Sequence, residues 1–172
     1  MNKYKICLVG AFSVGKSSLV RRFVHEVFDD RYTTTLGVKI ETKEVELNGD
    51  RVKLVVWDME GADGADQEAD LVTSRMEAYL QKVDGVLLVA DGTRAGTFNT
   101  ALRLNKWLAE NRTSVPVVLL LNKADLVNEW QITPQQVEDI SASLHCFTTS
   151  ALSGENVERT FKHLAQILSG NE

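Results

Sequence analysis

Eight consecutive residues, Gly10-Ala11-Phe12-Ser13-Val14-Gly15-Lys16-Ser17, have types and spacing suited to holding phosphate. A glycine, four residues and then Gly-Lys-Ser make a loop whose successive N–H groups can wrap an anion, because no side chain need intrude. The helix expected next adds the positive end of its dipole. Lys16 would supply a point charge to β- and γ-phosphates, and the Ser17 hydroxyl is a ligand for Mg²⁺. Ser13, Val14, Gly15 and Ser18 complete the expected phosphate-binding set. The flanks strengthen the motif, since Lys5-Ile6-Cys7-Leu8-Val9 reads as buried strand and Ser18 to Phe23 as helix.

Three further stretches could act with this loop. In Asn122-Lys123-Ala124-Asp125, the Asp125 carboxylate can accept from N1–H and the exocyclic amine of guanine. Adenine has an acceptor at N1 and no amine at the neighbouring C2, and would leave that carboxylate unpaired. Lys123 can lay its stem over the base, and Asn122 is placed to tie this loop to the phosphate loop. Thr149-Ser150-Ala151 could add the Ala151 N–H to the guanine O6. In Trp57-Asp58-Met59-Glu60-Gly61, Asp58 would hold Mg²⁺ through water and Gly61 would give its N–H to the γ-phosphate. Thr33, Thr34 and Thr35 compete as a further Mg²⁺ ligand, and the spacing to Leu36-Gly37-Val38 favours Thr35.

These residues need a frame that brings them to one edge. Apolar periodicity predicts strands at 3–9, 38–47, 51–57, 84–91, 115–121 and 144–148, with helices at 16–26, 66–82, 98–111, 133–143 and 155–168. That alternation is the pattern of an α/β fold, a six-stranded mostly parallel sheet with about five helices on both faces. Asn48-Gly49-Asp50 between two alternating runs is a hairpin signal, so one edge strand should be antiparallel. In such sheets ligands sit at the carboxyl ends of the strands, where all four stretches fall.

Length and composition set the bounds. The chain has 172 residues, read as one domain over 1–172, with 44% hydrophobic and 25% charged residues and two prolines. A net charge of −5 argues against nucleic-acid or anionic-membrane partners, whose fields would repel it. Cys7 and Cys146 sit in apolar, strand-like runs, which suits buried thiols in a reducing cytoplasm. No apolar run approaches the roughly 20 residues that span a bilayer. Met1-Asn2-Lys3 lacks a myristoylation glycine, and Ser169-Gly170-Asn171-Glu172 has no cysteine for a prenyl group, so no direct membrane anchor is expected.

Taken together, the stretches resemble the Ras superfamily of small GTPases, and its Rab-like branch most closely. The likeness covers essentially the whole chain: the phosphate loop, Thr35-Leu36-Gly37-Val38, Leu47-Asn48-Gly49, Trp57-Asp58 with Gly61, Asn122 to Asp125, and Thr149-Ser150-Ala151 followed by Gly154-Glu155-Asn156-Val157. The resemblance implies the small-GTPase form of the phosphate-loop fold and a cycle between GTP and GDP with Mg²⁺. It also implies effectors and activating or exchange proteins that contact residues 28–40 and 57–80. Phe28 would pack against the guanine edge, and the segments around 28–38 and 58–75 would be the two switches. Lys16, Thr35 and Gly61 would carry turnover. The missing lipid site fits a prokaryotic Ras-like protein or a form trimmed of its tail.

The match breaks at the second switch. The family's Asp-Thr-Ala-Gly-Gln-Glu is here Asp58-Met59-Glu60-Gly61-Ala62-Asp63, so Ala62 stands where a glutamine orients the attacking water. Slow intrinsic hydrolysis is expected, with a GTP- or GDP-held adaptor as the alternative, and glutamine at 62 is expected to raise turnover provided Glu60 and Phe12 do not block the water. Glu60, in place of alanine, would repel the γ-phosphate or turn to the metal. Phe12 either obstructs a partner's arginine, or simply points to solvent or packs on the second switch. Glu60, Asp63, Asp66 and Glu68 are candidates for a substitute catalytic group, or else form a solvated acidic face. Ile40 and Trp57 would form an apolar effector patch unless Trp57 is buried.

Overall fold

The computed structural model describes residues 1–62 and 71–170. Six strands, β1 (Asn2–Gly10), β2 (Val38–Leu47), β3 (Asp50–Met59), β4 (Gly85–Asp91), β5 (Val117–Asn122) and β6 (His145–Thr148), form one sheet in the order β2-β3-β1-β4-β5-β6. All neighbours are parallel except β2 and β3. Those two are joined by Asn48-Gly49, both with positive φ, which is the two-residue turn whose twist matches a hairpin.

The helices are α1 (Lys16–His25), α2 (Ser74–Tyr79), α3 (Ala95–Asn111), α4 (Pro134–Ser141) and α5 (Val157–Ser169). Alternation along β1 divides the core into two layers. Ile6 and Leu8 join the layer of α1 and α5, where Phe23 stacks on Phe161 with centroids 3.9 Å apart. Cys7 and Val9 join the layer of α2 and α3. Every residue of β4 is buried, as a continuous apolar run in a central strand requires.

The expected helix over 66–82 is shorter here. Leu71, Val72 and Thr73 are not helical, and the Thr73 hydroxyl accepts the Met76 N–H as the cap that starts α2. Leu71 is buried, so its apolar character reports packing rather than helical period. The part of that expectation on residues 66–70, with Asp63, Asp66 and Glu68, lies outside the described residues. Both cysteines are free thiols, but Cys146 is only half-buried. Burial pushes the Cys7 thiol up to about 12 and the Cys146 thiol up to about 11.

Candidate nucleotide site

The phosphate loop is shaped by two positions where no side chain fits. A Cβ on Gly10 would lie 2.3 Å from the Val89 carbonyl oxygen, and one on Gly15, at φ +99, 2.3 Å from Asn122 Nδ2. Asn122 uses that amide to donate to the Val14 carbonyl at 3.0 Å, and its own oxygen accepts from Thr149 Oγ1 at 3.2 Å. No side chain caps the start of α1, which leaves its first N–H groups for an anion. Lys16 is 6% exposed and donates to the carbonyls of Ala11 at 2.8 Å and Gly10 at 3.3 Å. Burial lowers its ammonium to about 8, against the pull of the Asp58 charge.

Three oxygens converge beside it. Ser17 Oγ donates to Asp58 Oδ2 at 2.5 Å, so the 2.7 Å contact between Ser17 Oγ and Thr35 Oγ1 is donated by Thr35. Of the three competing threonines, Thr35 is the one that reaches this point. Asp58 is buried, and its Oδ1 has no hydrogen-bond partner. Burial raises its carboxyl, while the Ser17 hydroxyl and the Lys16 charge hold it down. An unpartnered buried carboxylate oxygen beside two hydroxyls is an all-oxygen donor set of the kind a hard divalent cation takes.

One cleft of about 260 Å³ runs from here to the far end of the rim. Ser13, Val14, Gly15, Lys16, Ser17, Ser18, Thr35 and Gly61 line it, as do Phe28, Asn122, Lys123, Asp125 and Ala151. Ser150 does not line the cleft; its hydroxyl donates to Asp125 Oδ1 at 2.7 Å and orients that carboxylate.

Ala62, Glu60 and Phe12, which depart from the family pattern, each have a defined place. Ala62 is 2% exposed, donates its N–H to the Gly10 carbonyl and packs in the layer of Met59, Leu71 and Met76. The Ala62 methyl itself carries no group that could hold water in the cleft. The Glu60 carboxylate accepts from the Gly37 N–H at 3.1 Å and pairs with Arg75. Phe12, 42% exposed, packs edge-on against Tyr32 of the first switch. Trp57 is half-buried under Lys5, with Tyr79 beside it and Ile40 opposite it across the hairpin.

Two groups of residues went unnoticed in the sequence. Tyr32 OH accepts from Ser13 Oγ at 2.7 Å and so closes the first switch onto the phosphate loop. Asp91, at the end of β4, is fully buried and accepts from Lys123 Nζ at 2.8 Å, Arg94 Nε at 3.0 Å and the Thr93 N–H at 2.9 Å. Burial would raise its carboxyl, but these donors outweigh that and hold it low. Arg94 also donates to the Phe12 carbonyl at 2.9 Å, and Lys123 to the Ser13 carbonyl at 3.3 Å. The available signal was Asp91's position, a polar residue at the carboxyl end of a buried strand.

A rim with a glycine-shaped anion loop, a hydroxyl-carboxylate cluster and a carboxylate at the opposite end defines a phosphate-loop nucleotide-binding protein of the small-GTPase fold. The chain matches the Ras family over residues 5–169 and belongs to it, as a Rab-like small GTPase of the Ras superfamily. It is similar to Ras-related protein Rab-30 of Homo sapiens, 33% identical over 168 residues that cover 94% of this chain and 78% of the relative. Ras-related protein Rab-13 of Rattus norvegicus is 32% identical over 166 residues, covering 95% and 78%. Membership supports a GTP-binding molecular switch with GTPase activity in general. No described helix is long and apolar enough to cross a membrane.

Replacing Asp91 by alanine leaves Lys123 and Arg94 without their shared buried acceptor. Asp91→Ala should destabilise the fold by about 1–3 kcal/mol, read as a lower urea midpoint with an unchanged slope.

Proposed function

We propose that this chain is a guanine-nucleotide switch that holds GTP or GDP along the described cleft and hydrolyses GTP slowly on its own, with residues 1–172 acting as one G domain. The observation that carries the reading is the convergence of Ser17, Thr35 and Asp58 at one end of a cleft whose other end presents Asp125. Lys16, 6% exposed among carbonyl oxygens, is a buried charge that phosphate oxygens would satisfy. Ser13, Val14, Gly15 and Ser18 bind by backbone and first-turn N–H groups, and Gly61 offers its N–H beside them. Asp125 accepts from the guanine edge in the orientation Ser150 gives it, Lys123 and Phe28 flank the base, and Ala151 adds a backbone donor.

Ser17, Thr35 and Asp58 suit Mg²⁺, which when bound would neutralise charge on the phosphate oxygens. The chain's own part in turnover is to position the phosphates through Lys16 and to bring the Thr35 and Gly61 backbone to the γ-phosphate. It has no side chain at 62 to hold the attacking water, because Ala62 faces the core. That burial also favours a second reading, a GTP- or GDP-held adaptor that does not turn over unaided.

Effectors and regulators are proposed to dock on the surface of residues 28–40 and 57–80, where Leu36 is 84% exposed and Ile40 half-exposed. A cytoplasmic setting is proposed, in keeping with two free thiols.

Asp125→Asn removes the carboxylate from the base and should weaken GDP binding at least tenfold, the factor one charge-assisted hydrogen bond is worth, by isothermal titration; unchanged affinity overturns the base assignment. Single-turnover assay of GTP preloaded with Mg²⁺ should show GTP surviving for hours. Conversion within minutes would mean that some other group orders the water.

A further inference from the structure

Glu60 occupies a position next to the last rung of the hairpin. Backbone pairing of β2 with β3 ends at Val38 and Met59. One step further, the Glu60 N–H donates to the Gly37 carbonyl at 2.8 Å, as a regular antiparallel ladder requires. The return bond is different: the Gly37 N–H goes to Glu60 Oε2 at 3.1 Å, so a side chain supplies the acceptor that a strand's own carbonyl would supply. The backbone is thereby free to leave the sheet. At Gly61 it passes so close beneath the phosphate loop that a Cβ would lie 2.5 Å from Phe12 Cα, and the Ala62 N–H reaches the Gly10 carbonyl.

Helix α2 supports the same point. Arg75 Nη1 is 3.4 Å from the Glu60 carboxylate. Tyr79, one turn further on, holds its hydroxyl 3.4 Å from where a Cβ of Gly37 would stand. Gly37 is two residues from Thr35, and Gly61 directly follows Glu60. Glu60 itself does not line the cleft.

We propose that Glu60 is a positioning residue that adds one side-chain rung to the hairpin, locking the segment that carries Thr35 to the segment that carries Gly61 independently of the γ-phosphate. The proposal rests on the guanine-nucleotide reading above and deepens it. The two segments then move as a unit, and the first stays closed over bound GDP after the γ-phosphate has gone. The Arg75 pair is 61% exposed on its cationic side and contributes little alone; the charge-assisted bond to the half-buried Gly37 N–H dominates.

The test measures GDP release in Mg²⁺ together with hydrogen exchange at the Gly37 amide. Glu60→Ala should release GDP about tenfold faster, the factor of one charge-assisted hydrogen bond, and should lose Gly37 protection with an unchanged melting temperature. Glu60→Gln keeps an oxygen acceptor and should restore release to within about threefold of the parent, and Arg75→Ala should change it by no more than that. In the parent protein the Gly37 amide should be equally protected with GDP and with a non-hydrolysable GTP analogue. Parent-like release from Glu60→Ala, or a Gly37 amide that exchanges freely with GDP bound, overturns the proposal. Should GDP not bind at all, the functional reading falls instead. The Gly37 amide of the nucleotide-free protein then decides the rung: protection lost in Glu60→Ala supports it, and equal exchange in both overturns it.

Discussion

A single buried side chain, the Asn122 amide, holds together the loops that follow three different strands. It donates to the Val14 carbonyl after β1, sits at the end of β5, and accepts from Thr149 after β6. Its nitrogen occupies the space that a side chain at position 15 would need, so the glycine and the asparagine are two halves of one constraint. With that pin in place, the loop carrying Lys16 and Ser17 and the loop carrying Asp125 keep a fixed separation along the rim. Asp91 reinforces the arrangement from the neighbouring strand by drawing Lys123 and Arg94 to one carboxylate, and both cations reach back to carbonyls of the phosphate loop. A site built this way is positioned by rigid elements, which is what recognition of a charged, extended ligand demands.

The electrostatics of the cleft are those of an incomplete set of charges. Burial lowers the Lys16 ammonium to about 8 and raises the Asp58 carboxyl, and each pulls the other back. Neither group is at ease buried, since a charge taken from water needs close partners. A polyphosphate at Lys16 and a divalent cation at Asp58 would each supply what the protein alone lacks. Catalytic geometry is a separate matter. Ala62 is buried, and the Glu60 carboxylate two residues before it is engaged by Gly37 and Arg75.

Most of the sheet and most of the rim were legible in the sequence because their signals are local. Gly10 to Ser17, Asn122 to Asp125 and the Asn48-Gly49 hairpin each encode a backbone shape within a few residues. The order of strand and helix follows from apolar period alone. What could not be read depended on partners distant in the chain. Asp91 with Lys123, Arg94 with Phe12, Ser13 with Tyr32 and Glu60 with Gly37 become pairs only when loops from different strands meet. The burial of Ala62 is a tertiary fact of the same kind. The early start expected for α2 had the same origin, since Leu71 and Val72 are apolar for packing and the cap at Thr73 sets where the helix begins.

The claim that this rim is built for guanine nucleotide is tested most directly by thermal unfolding with GDP or ADP in the presence of Mg²⁺. At about a hundredfold excess over Kd, GDP should add about 2.7 kcal/mol of stability. For a chain of 172 residues that raises Tm by about 5–10 °C, while ADP at the same concentration leaves it unmoved. Equal stabilisation by both, or by neither, would contradict the assignment of Asp125 and of the cleft as a whole.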